Sequence, residues 1–131
     1  MAQLNCIVVT PEQTALDQKA EAVVLPLYDG EIGILPGHSP MIGRLGFGEM
    51  RIRVDGQDRR YYVDGGFAQV ANDVVSVLTN RAVPADRVDE KAAQEQLNAA
   101  LRRPIATPEL LDVRDRLIDQ ARAQIRVARH R

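Results

Sequence analysis

Asp29-Gly30-Glu31-Ile32-Gly33-Ile34-Leu35-Pro36-Gly37-His38-Ser39-Pro40 holds three glycines, two prolines and one histidine between two apolar runs. Glycine permits positive φ and proline fixes φ, so this density prescribes one backbone path. The stretch carries no nucleophile–base pair and no metal-ligand spacing. It reads as a rigid recognition loop at a sheet edge, with a pair of ordinary turns as the alternative.

Outward from it, the chain reads as short strands between turn residues. Upstream, Leu4 to Val9 ends at Thr10-Pro11, and Ala22 to Leu27 ends at Tyr28-Asp29-Gly30. Downstream, Met50, Ile52 and Val54 alternate with Glu49, Arg51 and Arg53, the period of a half-buried strand. Asp55-Gly56 signals a tight hairpin into Arg59 to Val63. Gly65-Gly66 leads into Phe67 to Val70, and Asn72-Asp73 turns the chain into Val74 to Leu78. Short antiparallel strands in this number imply a β-sandwich or barrel.

The composition then changes. All nine glycines lie at or before Gly66 and all five aromatics at or before Phe67, so a boundary falls between Thr79 and Asp86. The division is a β domain over 1–84 and a helical hairpin over 85–131. Pro84-Ala85-Asp86 offers a stop and an N-cap, after which Val88, Ala92, Ala93, Leu97, Ala100 and Leu101 recur at helical spacing. Pro104 breaks that helix. Thr107 as cap and Pro108 at the first position start another, in which Leu111, Ile118 and Ile125 repeat every seven residues. Two helices across a short break make an antiparallel hairpin. Its alanine-rich stripes bury little area, so it is expected to dock weakly and to be able to detach.

After Asp119 come four arginines and no acid. Arg122, Arg126 and Arg129 stand at i, i+4 and i+7, on one helical face. They either complement the helix macrodipole or meet an acidic partner.

Other classes find little footing. A net charge of −1 gives no pull toward nucleic acid, and the lone Cys6 excludes a disulfide within the chain. No 18-residue apolar stretch occurs, so the chain is expected to be soluble and cytoplasmic, meeting a membrane only through a partner. His38 and His130 lie far apart without ligand spacing, and His130 falls in a terminus expected to fray. No phosphate loop and no nucleophile elbow is present, and no cofactor or metal is expected.

Several motifs coincide with one family: Val8-Val9-Thr10-Pro11, Gly30 to Pro40, Gly65-Gly66-Phe67-Ala68-Gln69-Val70 and Asn72-Asp73-Val74-Val75-Ser76-Val77-Leu78. Through them the chain resembles, from end to end, the epsilon subunit of bacterial F-type ATP synthases (delta in mitochondrial nomenclature). The resemblance implies a ten-stranded β-sandwich followed by two helices. It implies a non-catalytic rotor subunit on the cytoplasmic face of the cell membrane, joining the gamma subunit and the c-ring to the alpha/beta catalytic head. The helical hairpin of such a subunit can extend and inhibit ATP hydrolysis. By position, Glu31, Pro36, Gly37 and His38 match the loop toward the c-ring and gamma. Arg122, Arg126 and Arg129 match the basic helix that meets the beta subunit. Some members bind ATP through an Ile/Leu-Asp-x-x-Arg-Ala motif; here the segment is Val88-Asp89-Glu90-Lys91-Ala92-Ala93, which keeps Asp89 as a nucleotide candidate and has Ala92 in place of arginine. A nucleotide-sensing module is thus the alternative reading, and a stand-alone β-sandwich enzyme or ligand binder a third.

Overall fold

The structure is a computed structural model that describes residues 3–130. Arg131, the fourth arginine of the basic run, and the outer limits of the two expected domains at residues 1 and 131 lie outside them. Eight strands are followed by two helices: β1 (Leu4–Val9), β2 (Thr14–Ala20), β3 (Ala22–Leu27), β4 (Gly30–Ile34), β5 (Met41–Val54), β6 (Gln57–Ala71), β7 (Val74–Leu78), β8 (Ala82–Pro84), α1 (Glu90–Leu101) and α2 (Pro108–Arg129). A 3-10 turn, Ala85–Arg87, links sheet to helices.

The strands pair in the order β2-β1-β7-β6-β5-β3-β4, with β8 on β6. All pairs are antiparallel except β1 with β7. The sheet folds over one core. Cys6 and Val8 from β1, Val23 and Leu25 from β3, Ile34 from β4, Met50 and Ile52 from β5, and Val75 and Val77 from β7 share a single buried cluster. Alternation along each strand supplies it, since every second side chain faces inward.

The turns follow the residues expected to make them. Asp55 and Gly56 take φ of 52° and 76°, and Asn72 and Asp73 take 51° and 62°. Each pair closes a two-residue hairpin, Val54 opposite Gln57 and Ala71 opposite Val74. Positive φ at both central residues matches the strand twist.

The count of eight strands differs from the expected ten because β5 and β6 are unbroken for 14 and 15 residues. Gly65-Gly66 does not separate two strands. It is where β6 changes outer neighbour, from β8 at Tyr61–Val63 to β7 at Phe67–Ala71. Counting the two halves of each long strand separately gives ten. Gly66 has φ +101°, and a Cβ there would stand 1.9 Å from the Leu78 carbonyl oxygen. Only glycine allows that approach.

In the hairpin, Thr107 caps α2 through Leu110 N–H, with Pro108 in the first turn, as expected. The cap of α1 is Asp89, whose carboxylate accepts from Ala92 N–H at 3.0 Å. Asp86 instead sits in the 3-10 turn, because β8 and that turn carry the chain three residues further before the helix starts. The helix α1 packs on α2, and α2 packs on β5 and β6. Of the seven-residue series, Ile118 and Ile125 are buried and Leu111 is exposed, so the first turn of α2 projects beyond the contact.

Candidate functional site

The segment from Gly30 to His38 is an edge strand followed by a turn. Its strand, β4, ends the sheet, with Glu31 opposite Pro26. Pro36-Gly37 makes the turn, closed by His38 N–H donating to the Leu35 carbonyl at 3.1 Å. Gly37 takes φ +86°, and its N–H donates to the Asp73 carboxylate at 2.8 Å, fixing the turn to the β6–β7 connection. The His38 ring is half-buried, with Nδ1 2.7 Å from the Ser39 carbonyl. Pro36, Gly37 and His38 are therefore together. Glu31 lies at the other end of β4 and pairs with Arg51 at 3.1 Å.

Beneath α2 lie two polar anchors that sequence reasoning missed. The first centres on Asp64, a buried carboxylate on β6. One of its oxygens accepts from Gln120 Nε2 at 2.8 Å and from the Tyr62 hydroxyl at 3.1 Å. Burial pushes the Tyr62 phenol up, and the adjacent Asp64 charge adds to it. Burying such groups is tolerable because their polar atoms are satisfied.

The second anchor centres on Glu49 of β5, whose side chain is 10% exposed. It accepts from Arg51 at 3.1 Å, from Arg60 at 2.5 Å and from His130 Nδ1 at 2.9 Å. Burial alone pushes the Glu49 carboxyl up, but its bonds with His130, Arg60 and Arg51 outweigh this and hold it below the usual range. The Arg60 guanidinium also donates to the Val127 carbonyl at 3.0 Å, satisfying an acceptor in the last turn of α2. The terminus expected to fray is thus held at His130, which caps the helix.

Between the anchors, Ala123 and Val127 pack with Tyr62 and Ala85, and with Phe47, Val83 and Val88 at the margin. This patch is separate from the sandwich core. The basic face divides. Arg129 pairs with Glu90 at the start of α1. Arg122 and Arg126 are exposed along the groove between α2 and the middle of the β5–β6 hairpin, near Asp115 and Asp119. Neither has an ion-pair partner among the described residues.

The outer face of the sheet carries a row of exposed apolar side chains. Val9 lies opposite Leu78, Leu78 opposite Phe67, and Phe67 opposite Arg44. The Arg44 guanidinium stands 5.0 Å from the centre of the Tyr28 ring. Phe67 is 58% exposed, and Ile42, two residues from Arg44 on the same face, is 74% exposed. A signal for this row was present in strand parity: Ala68 and Val70 point inward, so Phe67 points out.

Among the described residues no group of three or more His, Cys, Asp or Glu could hold a metal ion. No helix there is long and apolar enough to cross a membrane.

A sheet folded over one core with a helical hairpin on its flank is an arrangement with known relatives. Residues 3–85 match the family model for the ATP synthase delta/epsilon chain β-sandwich domain. The ATP synthase epsilon chain of Rhodopirellula baltica is 49% identical over 96% of this chain and 98% of its own length. That of Granulibacter bethesdensis is 37% identical over 99% of this chain and 100% of its own. The chain belongs to the ATP synthase delta/epsilon family. Its fold recurs in a Euglena gracilis mitochondrial ATP synthase structure of OSCP, F1 and c-ring, with a TM-score of 0.86 at 22% identity over 99% of this chain and 83% of the other. It recurs also in the central stalk and c-ring of the Tetrahymena thermophila mitochondrial ATP synthase, with a TM-score of 0.75 at 12% identity over 95% and 96%.

Proposed function

We propose that this chain is a non-catalytic central-stalk subunit that couples ion-driven rotation of a c-ring to ATP synthesis in an alpha/beta head. Family membership supports the assembly, and the exposed row Val9–Leu78–Phe67 with Ile42 carries the reading at the level of residues. Aligned apolar side chains on the outside of a well-packed sheet mark a docking face rather than leftover core. The gamma subunit is its occupant in this reading. The turn Pro36-Gly37-His38 and the edge residue Glu31 then face the c-ring and gamma, so the subunit reaches the cytoplasmic side of the cell membrane through the complex alone.

The sandwich over 1–84 does the binding, and the hairpin over 85–131 regulates. Once it leaves the sheet, Arg122 and Arg126, joined by Arg129 after it parts from Glu90, offer a basic face to an acidic segment of the beta subunit and restrain hydrolysis. The alternative nucleotide-sensing reading draws no support from Asp89, whose carboxylate is occupied in capping α1.

The test is binding of the full chain to the gamma subunit of the same complex. Phe67→Glu and Ile42→Glu should each weaken it by about 30-fold or more, the scale of a central anchor residue. Circular dichroism should be unchanged. Unaltered affinity in both variants would remove the docking face.

A further inference from the structure

The second anchor does more than fill space. Glu49 lies on β5, and the groups that converge on it come from three elements: Arg51 from its own strand, Arg60 from β6 and His130 from the end of α2. Arg60 reaches past Glu49 to the Val127 carbonyl, so one carboxylate fixes both a side chain and a main-chain acceptor of the last helical turn. Arg51 continues the chain of charges outward to Glu31 on the edge strand β4. Glu31, Glu49, Arg51, Val127 and His130 border one cleft of about 380 Å³ between β4, β5 and the C-terminal end of α2. The helix α1 gains no comparable hold on the sheet. It rests on α2, through Gln96 to the Leu117 carbonyl and Glu90 to Arg129. The hairpin is therefore held through α2, in mid-helix by Gln120 on Asp64 and at its end by Glu49 and Arg60.

We propose that Glu49, Arg60 and His130 form a latch that sets the balance between a docked and a released hairpin, and that Arg51 links this latch to Glu31 at the sheet edge. The inference rests on the regulatory role proposed above only for its consequence in the assembled enzyme; the latch is a property of the isolated chain. Three features make it a latch rather than general adhesion. The apolar patch beneath α2 is small and built on Ala123 and Val127. The contacts that join α2 to Glu49 are charge-assisted, hence stronger than neutral ones and sensitive to removal of one partner. They also sit at the helix terminus, where loss of a partner frees the last turn first.

The docked fraction can be read by the distance between labels on cysteines introduced by Gln57→Cys on the sandwich and Glu95→Cys on α1. Both positions are exposed, whereas Cys6 is fully buried and its thiol is pushed up to about 12 by burial and the nearby Asp17 charge, so it stays unlabelled. In this background Glu49→Gln keeps the shape and removes the charge, and His130→Ala removes the partner on α2. Each should raise the released-to-docked ratio about fivefold, a discounted value because His130 is half exposed to solvent. The double variant should release no more than the stronger single one, because both remove the same contact. Glu31→Gln should raise the ratio less than twofold, acting through Arg51. The sandwich should melt at an unchanged temperature in His130→Ala, which separates latch loss from damage to the sheet.

Unchanged distance distributions in both Glu49→Gln and His130→Ala would overturn the latch. So would additive effects in the double variant. A shifted distribution without any change in ATP hydrolysis by the reconstituted complex would leave the latch standing and count against the inhibitory role of the hairpin.

Discussion

Replacing Gly66 by alanine puts a methyl group where β6 passes closest to β7. The residue sits at φ +101°, outside the range that L side chains readily occupy, which costs about 1–3 kcal/mol by itself. The new Cβ would lie 1.9 Å from the Leu78 carbonyl oxygen, 2.9 Å from its carbon and 3.0 Å from Thr79 Cα. These are backbone atoms, so no rotamer change relieves the clash. The strands must separate by an ångström or more, at the point where Phe67 pairs with Leu78. Overpacking of this kind costs a further ~1–3 kcal/mol. The total, about 2–6 kcal/mol, is a large part of the 5–15 kcal/mol typical of a folded domain. For a chain of this length it corresponds to a fall in Tm of about 6–24 °C. Thermal unfolding followed by circular dichroism measures it directly. Gly33→Ala is the control, since nothing lies within 4 Å of its Cβ position and its φ is not in the left-handed region. The same displacement moves Phe67 and Leu78 on the outer face, so binding to gamma should weaken in parallel. A Gly66→Ala protein melting within about 3 °C of the parent would refute the close-approach account of this position.

Acid sensitivity follows from Glu49. Its pKa is lowered on folding, so its stabilisation is complete above the ordinary value of 4.5 and is lost as pH falls through the lowered folded value; Glu49→Gln should flatten this limb of the stability–pH curve, measured by urea unfolding. Asp89→Ala removes the cap of α1 and should cost the hairpin about 1 kcal/mol, read as faster amide exchange in α1 with the sandwich strands unaffected. Arg122→Ala with Arg126→Ala should raise ATP hydrolysis by the assembled complex several-fold at low salt and less at high salt, because exposed charges are screened. Equal rates at both salt concentrations, with the subunit fully present, would show these arginines to be a solvated helix face.

Much of the sandwich was legible because its signals are local. Asp55-Gly56 and Asn72-Asp73 dictate turns by their tolerance of positive φ, and Met50, Ile52 and Val54 mark an inward face by alternation. The helix start at Thr107-Pro108 is local too. Three strands, β2, β4 and the three-residue β8, escaped together with the first half of β5, and for β2 and β4 the physical reason is plain. The residues of β2 are largely exposed at the sheet edge, with only Ala20 buried, so no apolar period marks them. In β4 two of five residues are glycine and only Ile34 is buried. Gly65-Gly66 looked like a break because glycine usually ends a strand. Here it serves a long-range approach to β7, which no local pattern encodes. The anchors beneath α2 were hidden for the same reason. Asp64 and Gln120 are 56 positions apart, and Glu49 and His130 are 81 apart. Asp89 caps α1, a role its position before a helix allows in principle, and Glu31 has a partner, Arg51, that only the fold brings to it.

The unbroken pair β5–β6 has a mechanical consequence. Each strand spans 14 or 15 residues, so each has about 45 Å of contour without a connecting loop. Ladder partners run from Met41 with Val70 at one end to Val54 with Gln57 at the other. Stress applied to the outer face at Phe67 therefore travels along a continuous hydrogen-bonded ribbon to the Asp55-Gly56 tip, passing beneath α2 at Tyr62 and Asp64 on the way. Sliding of one layer against the other would have to shear that ribbon, so it stiffens the sandwich along its length, whereas the hairpin joins the sheet mainly along one helix.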